Sequence, residues 1–347
     1  MAKVKWGVLG AGGIARRRTI PGLIKARNAE LVAVMDTAEG LAHEVKAEFG
    51  ARRAYTTTRA LLADPEVEAV YIASPVAFHK EQALACAASG KHILIEKPIA
   101  LTAREGEEVA KACDDAGIIA AAGFMMRLHT YHRQLRELVA AGRLGRIVSC
   151  RAQLTCWYPE IPGAWRQYTA TSGGGAMMDM GIHCIDLIQY ITGAKAVRVS
   201  GMTDTLAFGY EVEDASTLLL RLDNGAIASV EAYFCIPDAA ARGRLEIYGT
   251  RGSALCEGTI GQVEGGTADV FLGDDTLGYD ARQDRVDVAP VKLSSDFGDM
   301  YTSQIEAFGR SILEGAPVAA PLADALQAQR IVEACYESAK TRTTIDL

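Results

Sequence analysis

Residues 4–15, Val4-Lys5-Trp6-Gly7-Val8-Leu9-Gly10-Ala11-Gly12-Gly13-Ile14-Ala15, decide the reading of the fold. Residues 4–9 have the apolar pattern of a short strand, and a helix is expected from the glycines to about residue 26. A glycine pattern between a strand and a helix suits a dinucleotide. Gly10 permits the tight turn, Gly12 lets backbone approach a pyrophosphate, and Ala15 in the third glycine's place still allows close helix–strand packing. Gly13 and Ile14 complete the turn, and the phosphates would sit at the positive helix N-terminus.

The pattern continues outward. Residues 31–34 read as a second strand, and Asp36 stands at its end, 21 residues beyond Ala15. A carboxylate there would accept a hydrogen bond from the adenosine ribose 2′-OH and repel a 2′-phosphate. No arginine follows closely, so NAD is expected as cofactor, with NADP possible; the alternative for Asp36 is a plain strand-end carboxylate. Further strands are expected at 69–73, 93–95 and 118–122, with helices at about 38–49, 78–89 and 102–116 between them. Such alternation means a doubly wound parallel sheet, and ligands of such sheets bind beyond the carboxyl ends of the strands. Ser74-Pro75 and Glu96-Lys97-Pro98 follow two of those ends, with His79 opening the next helix. Ser74, Pro75, His79, Glu96 and Lys97 are therefore candidates for the cofactor edge. His79 also reads as a local packing residue. Lys97, pinned by a proline, is placed to point into the cleft.

After Gly123 the pattern changes, which divides the chain into domains at 1–123 and 124–347. A helix over 130–141 leads to a long strand at 147–157, an aromatic loop at 158–168, and a helix over 176–190. Alternating strands follow from 196 to 270, the clearest being a hairpin turned by Asn224-Gly225, a pair that suits a type I′ turn. Residues 258–299 are rich in Gly and Asp and carry no clear element; helices at 301–314 and 322–340 close the chain.

The stretch 173–186, Gly-Gly-Gly-Ala-Met-Met-Asp-Met-Gly-Ile-His-Cys-Ile-Asp, carries the second chemical signal. On an α-helix Asp179, His183 and Asp186 fall at i, i+4 and i+7 and share one face. Either that stripe faces water, or it lines a site, because buried ionisable groups must be paired or hydrated. Cys184 points about 100° away from His183 and reads as a small buried residue.

Composition excludes several classes. The 347 residues carry a net charge of −7, with 49% hydrophobic and 23% charged residues, as in ordinary globular proteins. Adjacent arginines occur at 16–18 and 52–53, too few to track a nucleic acid backbone. The longest uncharged apolar run, 116–126, is too short to span a bilayer. The N-terminus leads straight into a strand pattern, and the eight cysteines are scattered singly without metal-ligand spacing. No metal, nucleic acid or membrane is therefore expected, and a cytoplasmic location with reduced thiols is.

GAGGIA at 10–15, EKP at 96–98, GFMMR at 123–127 and the 173–186 stretch together resemble the Gfo/Idh/MocA oxidoreductases, which include inositol and sugar dehydrogenases. The resemblance covers essentially the whole chain. It implies a Rossmann domain followed by an α/β domain with an open, mainly antiparallel sheet, assembled as a homodimer or homotetramer through that sheet. By position Lys97 matches the lysine of the family's EKP motif. Asp179 and His183 match its DxxxH pattern, held against the substrate in inositol dehydrogenases. Met125 and Arg127 lie in the segment that lines the substrate side of the nicotinamide. The family's threonine-proline-asparagine turn is Ser74-Pro75-Val76 here, which loses an amide side chain.

Together these readings imply hydride transfer between a nicotinamide and a ring hydroxyl of a sugar or cyclitol. His183 would be the base, Lys97 the cation holding the alkoxide, and Asp179 the residue orienting them. Tyr158, Trp165, Arg166 and, on the hairpin, Tyr233 would offer a polyol stacking faces and hydrogen bonds. Two alternatives stay open: a redox-cycling glycosidase using NAD without net turnover of it, and a cofactor-binding regulator.

Overall fold

The computed structural model describes residues 2–273, 281 and 288–347, which group into two compact units. The first comprises 1–125, 162–178 and 298–330; the second 126–161, 179–297 and 331–347.

The first unit is built on a six-stranded parallel sheet. Its strands are β1 (Val4–Leu9), β2 (Ala29–Met35), β3 (Arg53–Tyr55), β4 (Ala69–Ile72), β5 (His92–Ile95) and β6 (Ala120–Ala122), in the order β3-β2-β1-β4-β5-β6. The order reverses at β1, which makes the sheet doubly wound. The central strands β1 and β4 are almost wholly buried and correspondingly apolar. Crossovers are made by α1 (Ile20–Lys25), α2 (Glu39–Phe49), α3 (Thr58–Leu62), α4 (His79–Ala88) and α5 (Ala103–Asp115). Their starts are chemically marked: Thr57 and Thr102 accept from the backbone N–H of Ala60 and Glu105 at 3.2 Å. The strand β3 was not anticipated from sequence.

The second unit opens with α6 (Thr130–Ala140) and β7 (Ile147–Thr155). The short α7 (Thr169–Ser172) belongs to the first unit, and α8 (Ile182–Thr192) to the second. The remaining strands are β8 (Ala196–Asp204), β9 (Ala215–Leu222), β10 (Ile227–Tyr233), β11 (Arg244–Gly249), β12 (Gly252–Glu257), β13 (Thr267–Leu272), β14 (Val291–Lys292) and β15 (Ile345–Asp346). They join β7 in a nine-stranded sheet, β14-β13-β12-β11-β7-β10-β9-β8-β15, antiparallel except where β10 meets β7. One face, carrying Leu218, Leu220, Ala228, Val230, Ala232 and Ala152, is buried under α8; the other is half exposed. Helices α9 (Met300–Glu314) and α10 (Leu322–Thr341) complete the chain. α9 packs on α1 inside the first unit, where Phe308 meets Trp6 with ring centroids 5.5 Å apart.

Three expectations change. The hairpin turn is not type I′, because that turn needs positive φ at both central residues, and of Asn224 and Gly225 only Gly225 (φ 87°) is there. Gly225 N–H donates to Leu222 at 2.9 Å and the Asn224 side chain accepts from Ala226 N–H at 3.0 Å, so a three-residue loop closes the hairpin. The 176–190 helix is not uniformly α: Met177–Gly181 forms a π-helical turn before α8 begins. In the segment without clear pattern, 258–299, β13 and β14 form, while 274–280 and 282–287 lie outside the described residues.

Candidate functional site

Parallel strands put the residues after β1, β2, β4, β5 and β6 on one edge of the first unit's sheet. That edge carries Gly10, Asp36, Ser74, Lys97 and Gly123. Backbone bonds hold the row together: Gly10 and Ala11 N–H donate to Met35 at 3.0 Å, Ala73 to Leu9 at 2.9 Å, Glu96 to Ile72 at 2.9 Å, and Gly123 to Ile95 at 2.7 Å.

The glycine turn fits a pyrophosphate. Gly10 sits at φ +79°, and a Cβ there would lie 2.5 Å from Ser74 N, so no side chain is admissible. A Cβ on Gly13 would meet nothing within 4 Å, and one on Gly12 would stand 3.1 Å from Leu41 Cδ2 and 3.8 Å from the Asp36 carboxylate. The turn thus leaves an open approach to backbone, beside a carboxylate suited to ribose hydroxyls. Ile14 leads into a π-helical turn, Ala15–Thr19, that precedes α1. Arg16 of that turn is held by Glu48 (2.7 Å) and Glu44 (3.3 Å), and Arg17 Nε donates to the Gly13 carbonyl at 3.2 Å.

The other strand ends form a second group. Lys97–Pro98 is a cis peptide. Glu96 accepts a hydrogen bond from the phenol of Tyr71, and loss of hydration pushes the Glu96 carboxyl upward. His79 is 1% exposed, with Nδ1 2.8 Å from the Pro98 carbonyl and Nε2 2.8 Å from the Ser74 carbonyl. Its reach is therefore to the two turns beside it. Burial pushes its imidazole down to about 4, helped by the charges of Lys97 and Arg166. Pro75 starts the 3-10 turn that leads into α4. In the same unit Arg166 stacks over Trp165, 4.2 Å from the ring, and Met125 is buried.

In the second unit the aligned stripe expected on 176–190 is broken. A π turn closes i→i+5 bonds and holds more residues than an α turn, so Asp179 loses the α-helical spacing to His183. Asp179 is half-buried, His183 is 5% exposed in the first turn of α8, and Asp186 is 2% exposed. Asp186 accepts from Arg127: Nε lies 2.9 Å from Oδ2 and 3.2 Å from Oδ1, and Arg127 itself is 5% exposed. The guanidinium expected to face substrate is thus committed to a buried ion pair and lies 5.0 Å over the Tyr190 ring. Cys184 is buried, as expected, and burial pushes its thiol upward.

The loop residues separate. Tyr158 donates its backbone N–H to Phe234 at 2.8 Å and packs its ring 5.1 Å from that residue's. Tyr233 is on the sheet face opposite α8, where its hydroxyl pairs with Thr217 at 2.7 Å and it lines a cavity with Met202 and Leu219. Alternation along β10 puts Ala232 inward and Tyr233 on the outward face. Gly173 ends α7 at φ +78°, and a Cβ there would sit 2.9 Å from the Leu101 carbonyl, a packing constraint inside the first unit.

Sequence reasoning missed the buried histidines at the start of α6, His129 before it and His132 within it. His132 bridges the Met126 carbonyl (2.7 Å) and Thr259 Oγ1 (3.1 Å), and His129 lies 3.0 Å from the Gly265 carbonyl. Their i, i+3 spacing on one face was the available signal.

Comparison with known proteins agrees with this architecture. Residues 4–124 match the model of an oxidoreductase family with an NAD-binding Rossmann fold, and residues 132–255 match the GFO/IDH/MocA C-terminal domain. A 1,5-anhydro-D-fructose reductase of Ensifer adhaerens is 29% identical over 90% of this chain and 91% of its own length. A D-xylose 1-dehydrogenase (NADP(+)) of Haloferax volcanii is 30% identical over 99% of each. The structure of a levoglucosan dehydrogenase in complex with NADH and levoglucosan superposes with a TM-score of 0.88, at 25% identity and 99% coverage of both chains. With its six-stranded dinucleotide-binding sheet and its nine-stranded mixed sheet, this chain belongs to the Gfo/Idh/MocA family of NAD(P)-binding oxidoreductases.

Proposed function

We propose that the chain oxidises a secondary ring hydroxyl of a sugar or cyclitol, reversibly, with Lys97 and His183 as its acid–base pair. The observation that supports it most is that Lys97 follows β5 in the same row of strand ends as the glycine turn. The bound dinucleotide supplies the hydride acceptor. The Lys97 ammonium holds the developing alkoxide, which lowers the hydroxyl's pKa without reorganisation. The His183 imidazole takes the hydroxyl proton as a general base. Asp179 binds a neighbouring hydroxyl or orients the histidine. Tyr158, Trp165 and Arg166 supply further contacts to the polyol, while Arg127 acts through the fold by holding Asp186.

NAD is preferred over NADP, because Asp36 borders the turn and Arg16 is engaged by Glu44 and Glu48. Relatives include both an NADP-named xylose dehydrogenase and a levoglucosan dehydrogenase seen with NADH, so this preference belongs to the individual chain. The test is a panel of aldoses, cyclitols and anhydrosugars assayed at the reduced-nicotinamide absorbance band with NAD and NADP in parallel. Reduction of NAD by one sugar class supports the reading. Glycoside cleavage without net NADH formation would replace it with redox cycling, and cofactor binding without turnover would replace it with a regulator.

The half-exposed face of the nine-stranded sheet carries Met202, Leu219, Ile227, Tyr248 and Leu255, and we infer a homodimer or homotetramer built through it. Light scattering on Leu219→Arg tests this, a smaller assembly being the expected result. None of the eight cysteines is in a disulfide, which suits a reducing cytoplasm, and among the described residues no helix is long and apolar enough to cross a membrane.

A further inference from the structure

Lys97 has to point at a reacting oxygen, and it follows a strand in a turn that a helix residue restrains. His79, the first residue of α4, spans two such turns: Nδ1 faces the carbonyl of Pro98 and Nε2 that of Ser74, both at 2.8 Å. The Ser74 turn has a second tie from the same helix, because Ser74 Oγ donates to Gln82 Oε1 at 2.6 Å. The ring itself is buried, with Val76 and Ile99 also buried in the two turns. Both acceptors are carbonyls, and a neutral imidazole has one N–H to offer.

We propose that His79 is a positioning residue: it donates from Nδ1 to the Pro98 carbonyl, fixes the Pro98–Ile99 peptide and, through the ring of Pro98, the direction of the Lys97 side chain. The Ser74 turn, already held by Gln82, has less need of that proton. This inference rests on the role of Lys97 proposed above. It makes α4 the element that sets the catalytic cation.

Asparagine puts its amide donor near the place of Nδ1, glutamine puts it near Nε2, and phenylalanine fills the space with neither. The experiment measures kcat, its pH profile, the NADH dissociation constant by fluorescence titration, and melting temperature. The variants are His79→Asn, His79→Gln, His79→Phe and Lys97→Met, assayed with the best substrate of the panel above. His79→Gln and His79→Phe are expected to lose up to about a hundredfold in kcat, the scale of a misplaced reacting group, with NADH affinity within about threefold of wild type. His79→Asn should recover most of that loss. The acid limb of the kcat profile should move to higher pH in the impaired variants, a shift that a purely structural role would not produce. If His79→Phe does not fold, the contrast between Asn and Gln decides alone. The clamp is overturned if Asn is no more active than Gln, or if the losses follow NADH affinity. Wild-type turnover in Lys97→Met instead removes the reading on which the clamp rests.

Discussion

Arg127 and Asp186, 59 residues apart in the chain, form a bidentate ion pair in which neither residue is more than 5% exposed. The pair ties the segment after β6 to α8, one turn from His183. Removing one partner leaves the other charged and dry. Asp186→Ala is expected to cost about 3–5 kcal/mol of stability. Chemical denaturation measures it, and a loss under 1 kcal/mol would contradict the pair's burial. Replacing both residues with apolar ones of similar volume should cost much less, since no charge is then stranded.

Acid should loosen the fold through buried imidazoles. Burial holds His79 at about 4 and His132 at about 3, while in the unfolded chain each titrates near 6.5. Between those values the unfolded state binds more protons, so stability rises with pH across the window and falls as pH drops from 6.5 towards 4. The contribution of His79 alone is about 3 kcal/mol over that range. Melting temperatures from pH 7 to 4.5 should show the decline, and His132→Asn should flatten it.

Turnover should depend on Lys97 and His183 far more than cofactor binding does. Lys97→Met and His183→Ala should each lower kcat by about two to four decades, the scale of a positioned acid–base group. NADH titration of the same proteins should give near-native affinity. Wild-type kcat in either variant would remove that residue from the chemistry.

Asp36 should set the cofactor. Asp36→Ala removes hydrogen bonds to a charged acceptor, worth about 1.5–3 kcal/mol, so the KM for NAD should rise about ten- to a hundredfold. The KM for NADP should not rise with it. Steady-state kinetics with both cofactors decides, and an unchanged NAD constant would leave Asp36 as an ordinary strand-end carboxylate.

Gly10→Ala should abolish dinucleotide binding and destabilise the first unit. Its φ of +79° disfavours any side chain, and the new methyl would lie 2.5 Å from the Ser74 backbone nitrogen. Circular dichroism and NADH titration together would show whether fold and binding fail at once.

The parallel sheet and its glycine turn were legible in residues 4–36, because strand, turn and helix there are local and each residue type has one job. The domain of antiparallel strands was legible too, from alternation in 215–233. The turn type was not. Asn224-Gly225 suits two hairpin geometries, and the backbone angles that separate them depend on how β9 and β10 register. The stripe on 176–190 misled for a similar reason: helical periodicity assumes an even turn, and the π turn at Met177–Gly181 leaves no mark in hydrophobic pattern.

The sequence by itself determined the family, the cofactor class and the strand ends at which Gly10, Asp36, Ser74 and Lys97 stand. These follow from short-range chemistry and from the shared direction of parallel strands. Only the tertiary structure decided that Phe308, from the distant α9, packs on Trp6, that Arg127 belongs to Asp186, that Tyr233 faces away from α8, and that His79 bridges two turns. Each is a contact between residues remote in sequence or an orientation set by strand register. Burial selects such partners by shape and by the cost of an unpaired polar group, and neither quantity exists until the chain is packed.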